Sequence, residues 1–129
     1  MPLFPFLGQM LLAIILGGLV GWQREHVGRA AGLRTYALVC MGSTLFTLLS
    51  SQAFFGGDPS RVASQIVVGI GFLGAGTILH KHGGIEGLTT AAGLWAMAAI
   101  GMAIGSGWYW QATFATFFIF LLLLIHKKD

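Results

Sequence analysis

The chain has 129 residues, 56% of them hydrophobic and 9% charged, and seven Lys+Arg against four Asp+Glu leave a net charge of +3. A soluble domain carries roughly a quarter of its residues as charged side chains, and the few present here cannot cover a globule of this size. A soluble enzyme, a disordered tail and a nucleic-acid-binding module are thereby excluded, and the single cysteine, Cys40, excludes an internal disulfide framework and a cysteine-cluster zinc site. With a mean hydropathy of +0.82, the class that remains is an integral membrane protein, whose first partner is the lipid bilayer.

Charges cut the sequence into apolar runs. Residues 1–23 and 35–57 carry none, and residues 62–80 and 87–126 are free of acid, Lys and Arg. A helix needs about 20 apolar residues to cross the hydrocarbon core, so the first three runs hold one span each and the fourth holds two. The break in the fourth falls at Gly105-Ser106-Gly107, which favours a turn, followed by Trp108-Tyr109-Trp110, which suits a headgroup boundary. The expected fold is all-α and polytopic, a single transmembrane domain with five helices near 3–22, 34–55, 61–80, 87–105 and 108–126. With the N-terminus outside, Arg24, Arg29, Arg34, Lys81, Lys127 and Lys128 all lie on the cytoplasmic side, leaving only Arg61 outside, so N-out, C-in is the expected orientation. Met1-Pro2-Leu3-Phe4-Pro5-Phe6 lacks the basic segment of a cleaved signal, so the first span is expected to stay.

Small residues mark where helices meet in lipid. The first helix carries Gly17 and Gly21, and the fourth carries Ala92, Ala96, Ala99 and Ala103 with Gly101 and Gly105. In the third, Gly69 and Gly76 share a face with Gln65 while Gly71 and Gly74 lie roughly opposite, which predicts a central helix with neighbours on both sides. The fifth, with Phe114, Phe117, Phe118 and Phe120, is expected to be the most lipid-exposed. Gly69-Ile70-Gly71-Phe72-Leu73-Gly74 also matches the dinucleotide fingerprint, but that fingerprint has meaning only between a strand and a helix of a soluble βαβ unit, so it reads as helix packing and no cofactor is expected. Offsetting the chain by 55 residues aligns Gly32-Leu33-Arg34-Thr35 with Gly87-Leu88-Thr89-Thr90, and Gly21, Gly28 and Ala37 with Gly76, Gly83 and Ala92. Either this is coincidence in a glycine-rich chain, or helices one-two and three-four are parallel-repeat hairpins with a fifth helix added.

The polar residues divide into three groups. Arg24, Glu25, Arg34, Thr35, Thr89 and Thr90 form a candidate cytoplasmic cluster, or else basic residues that merely fix topology; Arg34 opposes a helix dipole and calls for a partner, Glu25 or a lipid phosphate. On the outer side, Asp58 is expected to cap the third helix, Pro59 to take its first position and Arg61 to pair with Asp58. Gln65 either bonds across helices or lines a pathway. His80, His82 and Glu86 share a short loop that reads as solvated rather than metal-binding. Cys40 and Trp95 read as packing, and nothing resembles a catalytic constellation, so no enzyme activity is expected.

Gly32-Leu33-Arg34-Thr35, Asp58-Pro59-Ser60-Arg61-Val62-Ala63, Gly69 to Gly76, and Gly87-Leu88-Thr89-Thr90-Ala91-Ala92 with Leu94-Trp95 resemble the MgtC/SapB family, four ordered motifs over nearly the whole chain. The resemblance implies a bacterial inner-membrane domain of about five helices, tied to growth in low magnesium and to virulence. Many members carry a cytoplasmic C-terminal domain after this unit, which is expected to be absent from a chain that stops at Asp129. Members commonly show Glu-Arg where this sequence has Gln23-Arg24. The residues themselves place no acid at mid-span, whereas Mg²⁺ is held by carboxylates and dehydrates reluctantly. The expected function is a non-enzymatic regulatory or partner-binding membrane protein linked to magnesium or ion homeostasis, with a homodimer or other homo-oligomer and a membrane-protein partner in view. The alternative is an oligomeric cation transporter or channel.

Overall fold

A computed structural model describes residues 1–81 and 83–125. His82 of the expected loop, Lys127 and Lys128 of the orientation argument and residue 126 of the fifth expected span lie outside the described residues. The elements run α1 (Leu3–His26), α2 (Leu33–Gln52), α3 (Arg61–Ala75), β1 (Leu79–Lys81), β2 (Gly84–Glu86), α4 (Leu88–Gly105) and α5 (Tyr109–Leu123). Helices α1, α2 and α4 are long and apolar enough to cross a membrane. The apolar helices α3 and α5 have 15 residues each, about 22 Å of rise against a hydrocarbon core of about 30 Å.

Polarity is distributed inside out. Phe4, Val68, Phe72, Trp110 and Leu122 are among the most exposed side chains, whereas Gln9, Ser43, Thr44, Thr47 and Thr90 are buried among Ala, Gly and a few Leu and Ile residues. Water would penalise that arrangement, but lipid does not, because a lipid tail is as good a neighbour for phenylalanine as another side chain is. Trp95, expected to pack, is 59% exposed and belongs to this apolar rim.

Backbones come together where side chains are smallest. A Cβ on Gly17 would stand 2.7 Å from the Tyr36 carbonyl and one on Gly21 2.7 Å from that of Gly32, so α1 lies antiparallel against α2. Helix α4 grips α2 running parallel to it: a Cβ on Gly101 would run into the Cys40 carbonyl, and one on Gly105 would stand 2.7 Å from Thr47 Cβ. Cys40 is fully buried in this α1–α2–α4 contact.

Helix α4, not α3, is central. Among the described residues it touches all four other helices, whereas α3 packs mainly on α2 and α4. The third helix carries two glycine faces, but the chain uses only one stripe of it, Ala63, Ile70 and Gly74. Gly74 meets Ala91 at an ordinary 3.5 Å, Gly76 meets only carbonyls of its own last turn, and Gly69 and Gly71 face open space. The expected span 61–80 also ends early, at Ala75. There the Thr77 hydroxyl donates to the Gly74 carbonyl at 2.7 Å, competing with further helical turns. The segment read as a loop is an antiparallel hairpin, Leu79↔Glu86, His80↔Ile85 and Lys81↔Gly84, a small β addition to the all-α fold. His80 and Glu86 stand at successive positions of the ladder rather than opposite one another, which sets their side chains on opposite faces. Of the two hairpins proposed as a repeat, each pairs its helices antiparallel, but α1 has 24 residues against 15 in α3.

Candidate functional site

Two helix ends of the same design frame the polar interior. At the end of α1, Gly28 (φ 77°) lets its own N–H reach the Glu25 carbonyl at 3.0 Å and the Arg29 N–H reach the Arg24 carbonyl at 2.9 Å. At the end of α4, Gly107 (φ 84°) does the same, with Gly107 N–H on Ile104 at 3.0 Å and Trp108 N–H on Ala103 at 2.8 Å. These are glycine-terminated caps that satisfy the last carbonyls of each helix.

Arg24, in the last turn of α1, is only 3% exposed. A guanidinium can be held there because the end of a helix carries partial negative charge and because it finds a partner. Its Nη2 donates to Thr90 Oγ1 at 3.1 Å, while the Tyr36 hydroxyl donates to the Thr90 carbonyl at 3.2 Å. Thr90 is therefore bonded from α1 and α2 together. Gly93, one turn further on, makes room for the Tyr36 ring, since a Cβ there would stand 2.6 Å from the hydroxyl oxygen.

A seam of similar bonds continues through the interior. Gln23 Nε2 donates to the Leu123 carbonyl at 3.1 Å, Ser43 Oγ to that of Ala98 at 2.5 Å, and Gln9 Nε2 to that of Ile104 at 3.2 Å. Each joins a side chain of one helix to the backbone of another, the bonding that associates helices in lipid. Among the described residues, Gln9 Oε1, Gln23 Oε1 and Thr47 Oγ1 are buried with no hydrogen-bond partner.

Of the expected cluster, the structure joins Arg24 and Thr90 directly. Thr89 borders a cavity of about 360 Å³ that Arg24 also lines. Glu25, Arg34 and Thr35 are exposed, and Glu25 lies over Gly32, where a Cβ would stand 2.6 Å from its Oε1. Gln65 is exposed at the far end of the molecule, in a groove of about 470 Å³ that it shares with Gly42, Phe46 and Gly69. The chain does not bring it to Thr89 or Thr90.

The turn between α2 and α3 differs from its expected form. Helix α3 begins at Arg61, not Pro59. Its open N–H groups are met from α2, where Ser50 Oγ accepts from Val62 at 3.1 Å and Ala63 at 3.2 Å and donates to the Pro59 carbonyl at 2.7 Å. Asp58 Oδ1 instead accepts from the backbone N–H and hydroxyl of Ser60, both at 2.8 Å. Those bonds hold its carboxyl below the ordinary range, with the Arg61 charge a lesser cause. Arg61 is tied to Asp58 through the backbone, its N–H reaching the Asp58 carbonyl at 3.1 Å.

Gln9, Tyr36, Ser43 and Ser50 escaped sequence reasoning. Gln9, an amide inside an uncharged span, was legible by the cost of burying polar groups in lipid. A serine or tyrosine near a helix end carries no comparable mark. No group of three or more His, Cys, Asp or Glu side chains comes together among the described residues.

An apolar rim around a polar, glycine-lined interior defines a helical membrane protein. The chain belongs to the MgtC family, whose profile matches residues 10–128. It is 45% identical over 131 residues to the putative magnesium transporter YhiD of Escherichia coli K12, a match covering 95% of this chain and 61% of that protein. Protein MgtC of Salmonella typhimurium is 46% identical over 119 residues (92% of this chain, 51% of that one), and protein MgtC of Brucella abortus is 49% identical over 107 residues (83% and 45%). The chain thus spans about half of the length of these curated relatives. No solved structure matches it.

Proposed function

We propose that the chain is a five-span inner-membrane unit, N-terminus outside and C-terminus cytoplasmic, that serves magnesium homeostasis as a non-enzymatic regulator or partner-binding protein. The names of its relatives supply the link to magnesium, and virulence follows by family resemblance. Orientation is supported by Arg24, Arg29 and Arg34 gathering at one end of the bundle and Arg61 lying at the other.

The observation that carries the regulatory reading is the interior itself. Among the described residues, the one buried charged side chain is the cation Arg24. A fixed guanidinium repels Mg²⁺, and the buried amides and hydroxyls donate to carbonyls of neighbouring helices instead of forming an acidic, hydrated lining. The groove holding Gln65, Gly42 and Gly69 favours a second reading: a further copy closing that groove would enclose a polar side chain, as an oligomeric cation transporter requires.

Mg²⁺ flux into liposomes containing the purified protein separates the two. The regulatory reading expects no flux above empty liposomes. Flux that Gln65→Ala or Arg34→Ala abolishes overturns it in favour of the transporter.

A further inference from the structure

The cavity beside Arg24 joins two kinds of surface. Arg24, Arg29, His26 and Thr89 supply donors, while Trp22 and Phe120 supply apolar lining that continues onto the lipid-facing rim. No acidic residue lines it among the described residues.

Its two guanidinium groups are placed independently. Arg24 is held by Thr90. Arg29 is brought back over the end of α1 by the turn at Gly28, which bonds its N–H to the Arg24 carbonyl. That turn matters electrostatically as well. The carbonyls of Gln23, Arg24 and Glu25 accept from Val27, Arg29 and Gly28, and the carbonyl of Leu123 accepts from Gln23. Each of these helix-end carbonyls thus has a backbone or amide donor. His26 is fixed on the same turn, its ring stacked on Trp22 at 5.5 Å.

We propose that this cavity binds a phosphate group, presented by a phospholipid headgroup or as free phosphate. The planar fork of a guanidinium matches two phosphate oxygens at once, and a basic pocket between helices at a membrane surface is where headgroup phosphates lie. The site does not depend on whether the protein conducts ions, so liposome flux and phosphate binding fail or succeed separately.

The test uses the full chain in neutral detergent and reads the thermal midpoint of each variant against its own ligand-free value. Phosphatidylglycerol is compared with diacylglycerol of the same acyl chains, and inorganic phosphate with chloride at equal ionic strength. A shift with phosphatidylglycerol alone assigns the site to lipid, and a shift with inorganic phosphate as well assigns it to the phosphate group from either source. In both cases Arg29→Gln weakens binding roughly fivefold, as expected for one arginine at a membrane surface. Arg29→Lys retains part of the shift, and Phe118→Leu retains all of it. Absence of a shift with both phosphate sources overturns the proposal. So does an equal shift with diacylglycerol, or a shift that Arg29→Gln leaves intact. Arg29 carries the test because Arg24→Gln also removes the bond to Thr90.

Discussion

Gly101 and Gly105 of α4 and Gly69 and Gly71 of α3 all sit inside apolar helices, yet the first pair is pressed against α2 and the second faces open space. What separates them is the surface opposite. Across from Gly101 and Gly105 stand Ser43, Thr44 and Thr47, small side chains on a helix running the same way, and Ser43 bonds the α4 backbone. A Cβ on Gly69 or Gly71 would find no atom of the described residues within 4 Å, and Gly69 borders an open groove instead. A glycine stripe in a membrane helix marks a place where a backbone can be approached, and only a matching surface on a neighbour turns that opportunity into a contact.

Gly101→Leu should have the largest effect, because the added atoms meet the Cys40 backbone, which cannot yield without moving α2. A loss of about 3 kcal/mol or more is expected, read as loss of folded protein in a detergent denaturation series. The comparison breaks if Gly101→Leu and Gly69→Leu are equally tolerated. Arg24→Ala comes next, at about 1.5–3 kcal/mol for a buried charge-assisted hydrogen bond, measured in the same series. Ser50→Ala should cost about 1 kcal/mol, the usual worth of a helix cap, and more than Asp58→Ala does. Equal losses would return the capping role to Asp58.

A pH titration of stability sharpens the α2–α3 turn further. Ser60 lowers the Asp58 pKa from its ordinary 3.8, so the folded state favours the carboxylate. That contribution is fully present above the unfolded value and is lost as pH falls through the lower folded one. The Asp58→Asn variant should lack this acid-side loss, and an unchanged profile would refute the Ser60 bonds. The smallest effect belongs to Gly69→Leu, within about 0.5 kcal/mol for the isolated chain. If cross-linking between copies nonetheless falls at wild-type stability, the glycine face of α3 lies between subunits.

Spacing of charges, with the Gly105-Ser106-Gly107 break in the long last run, was enough to read five helices, because a bilayer permits few charges inside it and the first three runs are each close to one span. Gly17, Gly21, Gly101 and Gly105 were read as candidate contact points from small-residue spacing, and a Cβ at each would meet α2 or the residue that precedes it. The centrality of α3 was misread because glycine density reports what a helix permits, and Gly69 and Gly71 permit a contact the chain does not make. Arg24 and Thr90 were read as members of one cluster, whereas Tyr36 was invisible, since its role depends on the space left by Gly93 in another helix. Ser50 is the same kind of omission. Nothing near it in sequence marks it as the cap of a helix that begins eleven positions later, at Arg61.

That borrowed cap imposes an order on biogenesis. The first turn of α3 has its acceptor on α2 rather than among its own N-terminal residues, and a buried N–H left unmet costs about 1–3 kcal/mol. Synthesis delivers Ser50 before Val62 and Ala63, so the acceptor is in place when the donors emerge. A ribosome-stalling force assay should register this as one late pull for the α2–α3 pair, which Ser50→Ala splits or delays.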